Sequence, residues 1–106
     1  MFVDVHAHLD DKAFDDDRHQ VLENIKAAGM VVVTAGSDIE TSRFSVELAQ
    51  RYDFIYACVG VHPHEAAKVQ TDYLKQLKEL AEHPKVLAIG EIGLDYYYEF
   101  SDRKLQ

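Results

Sequence analysis

The sequence predicts a parallel α/β fold, and two observations carry the prediction. Short apolar, largely β-branched runs alternate with amphipathic stretches, and the alternation repeats four times along the chain. The polar residues able to do chemistry fall just after the apolar runs, which is the edge where parallel sheets collect ligands and catalysts. Together these imply βαβ units joined by right-handed crossovers.

Each element follows from local chemistry. Phe2 to Val5 reads as the first strand. A helix is expected from about Asp16 to Ala28: Asp15, Asp16 and Asp17 supply caps and negative charge at its start, Val21, Leu22, Ile25 and Ala28 form one stripe, and Gly29 ends it. Met30 to Ala35 is almost unbroken and apolar, as in a strand covered on both faces. Ser37 with Glu40 makes a capping box for a second helix running through Arg51, and Phe54 to Val61 is the third strand. Thr71 can cap a third helix whose Leu74, Leu77, Leu80 and Ala81 share a face. Pro84 follows that helix, and Val86 to Ile89 is the fourth strand.

Composition bounds the function. The chain has 106 residues, 47% hydrophobic and 28% charged, enough for one core, so residues 1–106 are expected to form a single domain without linkers. No apolar stretch is long enough to span a bilayer and Met1 is not followed by a basic, apolar leader, so a cytoplasmic protein without a membrane partner is expected. Cys58 is alone and sits in Tyr56-Ala57-Cys58-Val59, which reads as a small buried strand residue rather than a reactive thiol. A net charge of -8 argues against a broad basic surface gripping a phosphate backbone, so any polyanion must be held locally.

Six residues stand out as site candidates. His6 and His8 follow the first strand one residue apart; in extended backbone residues i and i+2 point the same way, so both imidazoles can reach one metal ion. The same spacing also arises when two histidines simply line a strand face. Glu91 leaves the fourth strand in Ile89-Gly90-Glu91-Ile92-Gly93, a carboxylate placed to bridge two cations or, alternatively, a solvated loop acid. His62 and His64 follow the third strand around Pro63; they could hold a phosphate, orient water, or be structural. Asp95 either orients a ligand residue from behind or caps the next segment. Tyr96, Tyr97 and Tyr98 either stack on a base or pack the scaffold, while His19 and His83, on helices or their ends, read as surface residues.

Val3-Asp4-Val5-His6-Ala7-His8-Leu9-Asp10, Gly60-Val61-His62-Pro63-His64 and Gly90-Glu91-Ile92-Gly93-Leu94-Asp95-Tyr96 resemble, in order and separation, the motifs of the TatD family of metal-dependent DNases. Val5 departs from the small or hydroxyl residue usual before the first histidine. The resemblance implies a (β/α)8 TIM-type barrel of the amidohydrolase superfamily, of which this chain would be the first four βα units. It implies that His6 and His8 bind one divalent ion, that Glu91 bridges it to a second, and that His62 and His64 contact the scissile phosphate of DNA or another phosphodiester. Zinc and manganese suit such ligands, magnesium less well.

A barrel of this type takes roughly 250 residues. The family's remaining histidines and its catalytic aspartate would then lie beyond Gln106, and the 106-residue chain alone is expected to be inactive. Two other readings stay open: a related phosphoesterase or amidohydrolase acting on a small molecule, and a non-catalytic half-barrel binding metal or a partner. Four strands cut from a barrel leave edges unpaired, with Val31 to Val33 and Phe54 to Val61 expected to expose the interior. A homodimer or a missing C-terminal half would cover them.

Overall fold

A computed structural model covers residues 1–106. Four strands form one parallel sheet in the order β1 (Val3–Ala7), β2 (Val31–Ala35), β3 (Ile55–Val59) and β4 (Val86–Ile89), each strand beside its sequence neighbour. Helices α1 (Arg18–Ala27), α2 (Ile39–Arg51) and α3 (Tyr73–Ala81) make the crossovers, with short 3-10 segments at Lys12–Phe14 and Pro63–Lys68. The core lies between sheet and helices: Val32, Ile55, Ala57 and Val59 pack with Leu22 of α1, Val46, Leu48 and Ala49 of α2, and Leu77 of α3. Val32, Ile55, Ala57 and Val59 are 1% exposed or less, and full burial of a residue of Val or Ile size stabilises by about 1.5–3 kcal/mol.

The expected elements are present, with shifted ends. β1 runs on to Ala7 and so includes His6, and β3 stops at Val59. α1 begins at Arg18; Asp17 occupies the cap position without a side-chain hydrogen bond. The capping box of α2 is one residue later than expected and uses other residues: Asp38 Oδ1 accepts from the Thr41 N–H at 2.8 Å, and Thr41 Oγ1 accepts from the Asp38 N–H at 3.0 Å. A carboxylate accepts there more strongly than a hydroxyl, and Ser37 is already committed, its carbonyl accepting from the His62 N–H at 2.8 Å. Asp72, not Thr71, precedes α3, and Leu74 is largely exposed while Leu77 is buried.

The exposed apolar surface also lies elsewhere than expected. Residues 32, 33, 55, 57 and 59 are buried, because each central strand has neighbours on both sides and α2 packs over β2 and β3. Exposure falls on the edge strands, at Val3 and Val5 of β1 and Leu87 and Ile89 of β4, each with one neighbour only. Cys58 is half-buried rather than fully buried, and its desolvation raises the thiol pKa.

Candidate metal and phosphate site

The site is built on main-chain crossings at the C-terminal ends of the strands. Asp4 pairs with Val32 and Ala7 with Thr34, so β1 advances three residues where β2 advances two and the strand carries a bulge next to His6. Bulges bend a strand and re-aim a side chain; the His6 N–H, inside the irregular stretch, donates to Asp4 Oδ1 at 3.0 Å. The following loop is pinned twice. Thr34, fully buried, accepts the Leu9 N–H on its hydroxyl at 3.2 Å, and Arg18 donates to the carbonyls of Leu9 and Asp11 at 2.7 and 2.9 Å while lying over the Phe44 ring.

Glu91 is placed by a crossing above β3. Its N–H donates to the carbonyl of Gly36 at the end of β2, 2.9 Å away, although β3 lies between β2 and β4. The chain can make this reach because Gly60 has no side chain: a Cβ there would lie 2.7 Å from the Gly90 carbonyl carbon and 2.8 Å from the Glu91 oxygen. Ser42 of α2 fixes Gly60 in turn, its hydroxyl donating to the Gly60 carbonyl and accepting the Gly60 N–H at 3.2 and 3.1 Å.

His6, His8 and Glu91 are brought together. The two Nε2 atoms are 3.2 Å apart, His6 Nε2 is 3.3 Å from Glu91 Oε1, and His8 Nε2 is 3.2 Å from Glu91 Oε2. Ligands bound tetrahedrally at about 2.0–2.1 Å stand about 3.3 Å from one another; the two imidazole nitrogens match that spacing, and the Glu91 carboxylate offers a different oxygen to each of them. The tautomer agrees. His8 Nδ1 lies 3.0 Å from the Ala35 carbonyl, which can only accept, so the proton is on Nδ1 and the Nε2 lone pair faces the triangle. Three acceptor-bearing groups meeting in this way fit a divalent cation. Asp10, whose Oδ1 is 4.0 Å from His8 Nδ1 and otherwise unpartnered, has its pKa raised by burial.

An open cavity of about 520 Å³ adjoins the triangle, and His6, His62, Glu91 and Asp95 share its wall. His62 Nδ1 accepts the His64 N–H at 3.1 Å, which leaves the ring proton on Nε2. His64 does not line the cavity. Its Nε2 is held by Asp95 Oδ2 at 2.5 Å, and that hydrogen bond, with the N–H groups of Tyr97 and Tyr98, holds the Asp95 carboxyl below the usual carboxylate range. Asp95 therefore both bonds His64 and caps the next turn. Gln106 clamps it from eleven residues away, accepting the Asp95 N–H at 2.6 Å and donating to the Asp95 carbonyl at 2.9 Å. Sequence reasoning missed Gln106, Thr34 and Ser42; a lone Gln, Thr or Ser carries no periodic signal. His19 is exposed and His83 only accepts a local N–H from Lys85, so both lie outside the site.

A parallel α/β sheet that gathers two imidazoles and a carboxylate at its strand ends places the chain with the α/β proteins whose active face is the C-terminal edge of the sheet. Comparison with known proteins narrows this. The TatD related DNase family matches residues 3–106. The metal-dependent hydrolase YabD of Bacillus subtilis, itself uncharacterized, is 41% identical over 107 residues, covering all of this chain and 42% of that protein. A Cronobacter turicensis protein named 3'-5' ssDNA/RNA exonuclease TatD is 34% identical over 99 residues, covering 92% of this chain and 38% of the relative. The crystal structure of YjjV, a TatD homolog from Escherichia coli K12, superposes with a TM-score of 0.82 at 30% identity, over 98% of this chain and 42% of that one. The chain belongs to the TatD family, and its sheet is that of the first βα units of a TatD-type barrel. It spans about two-fifths of the length of these relatives.

Proposed function

We propose that residues 1–106 form the N-terminal half of a TatD-type metal-dependent hydrolase that cleaves phosphodiester bonds of nucleic acid. The observation that carries this reading is the convergence of His6 Nε2, His8 Nε2 and the Glu91 carboxylate within 3.3 Å of one another at the mouth of the cavity. In this reading His6 and His8 hold one divalent ion and Glu91 is shared with a second, with zinc or manganese the better match to imidazole and carboxylate. Bound ions would supply Lewis-acid activation of water and of a phosphoryl oxygen.

The chain's own residues do the rest of the positioning. His62 presents Nε2–H toward the cavity as a donor for a phosphate oxygen, and His64, oriented by Asp95, stands beside it with ring centroids 4.2 Å apart. Such local donors are needed on a chain of net charge -8. No residue here is assigned as the proton acceptor; that group belongs to the remainder of a full-length family member. Exposed Val3, Val5, Leu87 and Ile89 support pairing of both sheet edges with further strands, from a longer polypeptide or from a second copy. No helix is long and apolar enough to cross a membrane, and a cytoplasmic location is part of the proposal.

Calorimetry with zinc and with manganese tests the site. Binding should weaken at least about tenfold in His6→Ala and in Glu91→Gln, and unchanged affinity in both variants would refute the ligand assignment. In the full-length protein containing this segment, a single-stranded oligonucleotide should be cleaved in preference to p-nitrophenyl phosphate or an anilide. The reverse preference would move the assignment to a small-molecule esterase or amidohydrolase.

A further inference from the structure

Beside the cavity, the segment after Asp95 carries four aromatic side chains within five residues, and none is buried. Tyr96, Tyr97, Tyr98 and Phe100 are 53%, 85%, 60% and 67% exposed. Their arrangement is ordered by contacts with one another. The Tyr98 and Phe100 rings lie parallel, 5.3 Å between centroids and 5° between planes, while Tyr97 meets Tyr98 edge to face at 4.7 Å. His64 packs edge to face on Phe100 at 4.8 Å and on Tyr98 at 6.1 Å. Through the His64–Asp95 hydrogen bond the aromatic surface is thus joined to the cavity wall that Asp95 lines.

The backbone beneath is fixed, so the rings form a platform and not a loose tail. Tyr97 and Tyr98 donate their N–H groups to Asp95 Oδ1 at 2.9 and 3.3 Å. Ser101, 2% exposed, donates to the His64 carbonyl at 2.8 Å, and Gln106 donates to the Ser101 carbonyl at 2.9 Å. At the outer end, the Arg103 guanidinium lies over the Tyr96 ring, 5.0 Å from its centroid, and bonds the Tyr96 carbonyl.

Resting on the hydrolase reading above, we propose that Tyr97, Tyr98 and Phe100 form a stacking subsite for unpaired bases next to the scissile phosphodiester. The ligand class follows from the balance of forces on this chain. A net charge of -8 argues against a broad basic surface that would draw in a duplex by its backbone. Aromatic faces hold bases without needing that charge, and they can do so only where the bases are unstacked and unpaired. The subsite therefore selects single strands or frayed ends and sets which phosphate reaches His62 and the His6–His8–Glu91 triangle.

Fluorescence anisotropy in EDTA, with no metal to support cleavage, isolates the stacking contribution. The probes are labelled single-stranded (dT)10, a chain of ten abasic sites with the same phosphates, and a ten-base-pair duplex. Base-containing single strands should bind at least about fivefold more tightly than either alternative, and Tyr97→Ala should remove most of that margin while Tyr97→Phe keeps it. Tyr97 is 85% exposed, so its truncation leaves the fold intact. As a second measurement, Tyr97→Trp should retain binding and have its emission quenched by (dT)10 and not by the abasic chain. Equal affinity for (dT)10 and the abasic chain, or an unaltered margin in Tyr97→Ala, overturns the subsite. Metal calorimetry on the same variants, exchanged into EDTA-free buffer, reports separately on the triangle, so the hydrolase reading and the stacking subsite fail by different signals.

Discussion

Replacing Gly60 by alanine should damage the proposed metal site without touching any of its candidate ligands. The added Cβ would lie 2.7 Å from the Gly90 carbonyl carbon, 2.8 Å from the Glu91 oxygen and 2.9 Å from the Gly90 oxygen. All three are main-chain atoms, so no side-chain rotation relieves the clash. The β4 terminus must retreat by about 0.7 Å to reach the 3.4 Å at which ordinary contact begins. That displacement acts on the residue whose N–H donates to Gly36 and whose carboxylate completes the triangle at 3.2 and 3.3 Å. Overpacking of this kind costs about 1–3 kcal/mol, and disturbing the support of a metal ligand typically costs about 10–100-fold in affinity. The assay pairs urea denaturation with zinc calorimetry on Gly60→Ala and on the unaltered chain. Coincident denaturation midpoints together with equal zinc affinity would refute the claim that the glycine is required for the crossing.

Two further outcomes are expected. Thr34→Val keeps the side chain's shape but leaves the Leu9 N–H without its acceptor in a buried position, and should lower stability by about 1–3 kcal/mol in urea denaturation; a change under 0.5 kcal/mol would show that the amide finds another partner. Asp95 has a folded pKa below its unfolded one, chiefly because His64 bonds the carboxylate, so its contribution is fully present above the ordinary aspartate value of about 3.9 and is lost as pH falls through the lower folded value. Asp95→Asn should therefore flatten the fall in denaturation midpoint below pH ~4, and an unchanged acid limb would remove Asp95 from the account.

The strands and the convergence of His6, His8 and Glu91 were legible because each rests on a signal carried by adjacent residues. Val31 to Ala35 is apolar without interruption, His6 and His8 share a strand's two-residue period, and Glu91 ends an apolar run. The box at the start of α2 was displaced because Ser37 and Asp38 are both competent caps, and the choice turned on a bond from His62 twenty-five positions downstream. Gln106 was illegible for a similar reason: its hold on Asp95 spans an irregular segment in which no period fixes which side chain returns. The unpaired edges fall on the first and fourth strands as the strand order implies, but exposed apolar surface was also expected on Val31 to Val33 and Phe54 to Val61, because alternation along a strand says which residues share a face, and not how many neighbours cover it.

The bond from Glu91 to Gly36 has a consequence for how this chain can diverge. It joins two main chains, so the side chain of Glu91 takes no part in it, but Gly36 must stay bare, because a Cβ there would lie 2.5 Å from the Ser42 Cα and 2.7 Å from its nitrogen. Substitutions over the exposed faces of α1 and α3 can accumulate without transmitting a displacement to the triangle, whereas Gly60 and Ser42, which hold the passage open, have no such latitude. Mutational tolerance should thus vary steeply over a few ångströms, with residues that never touch an ion among the least replaceable.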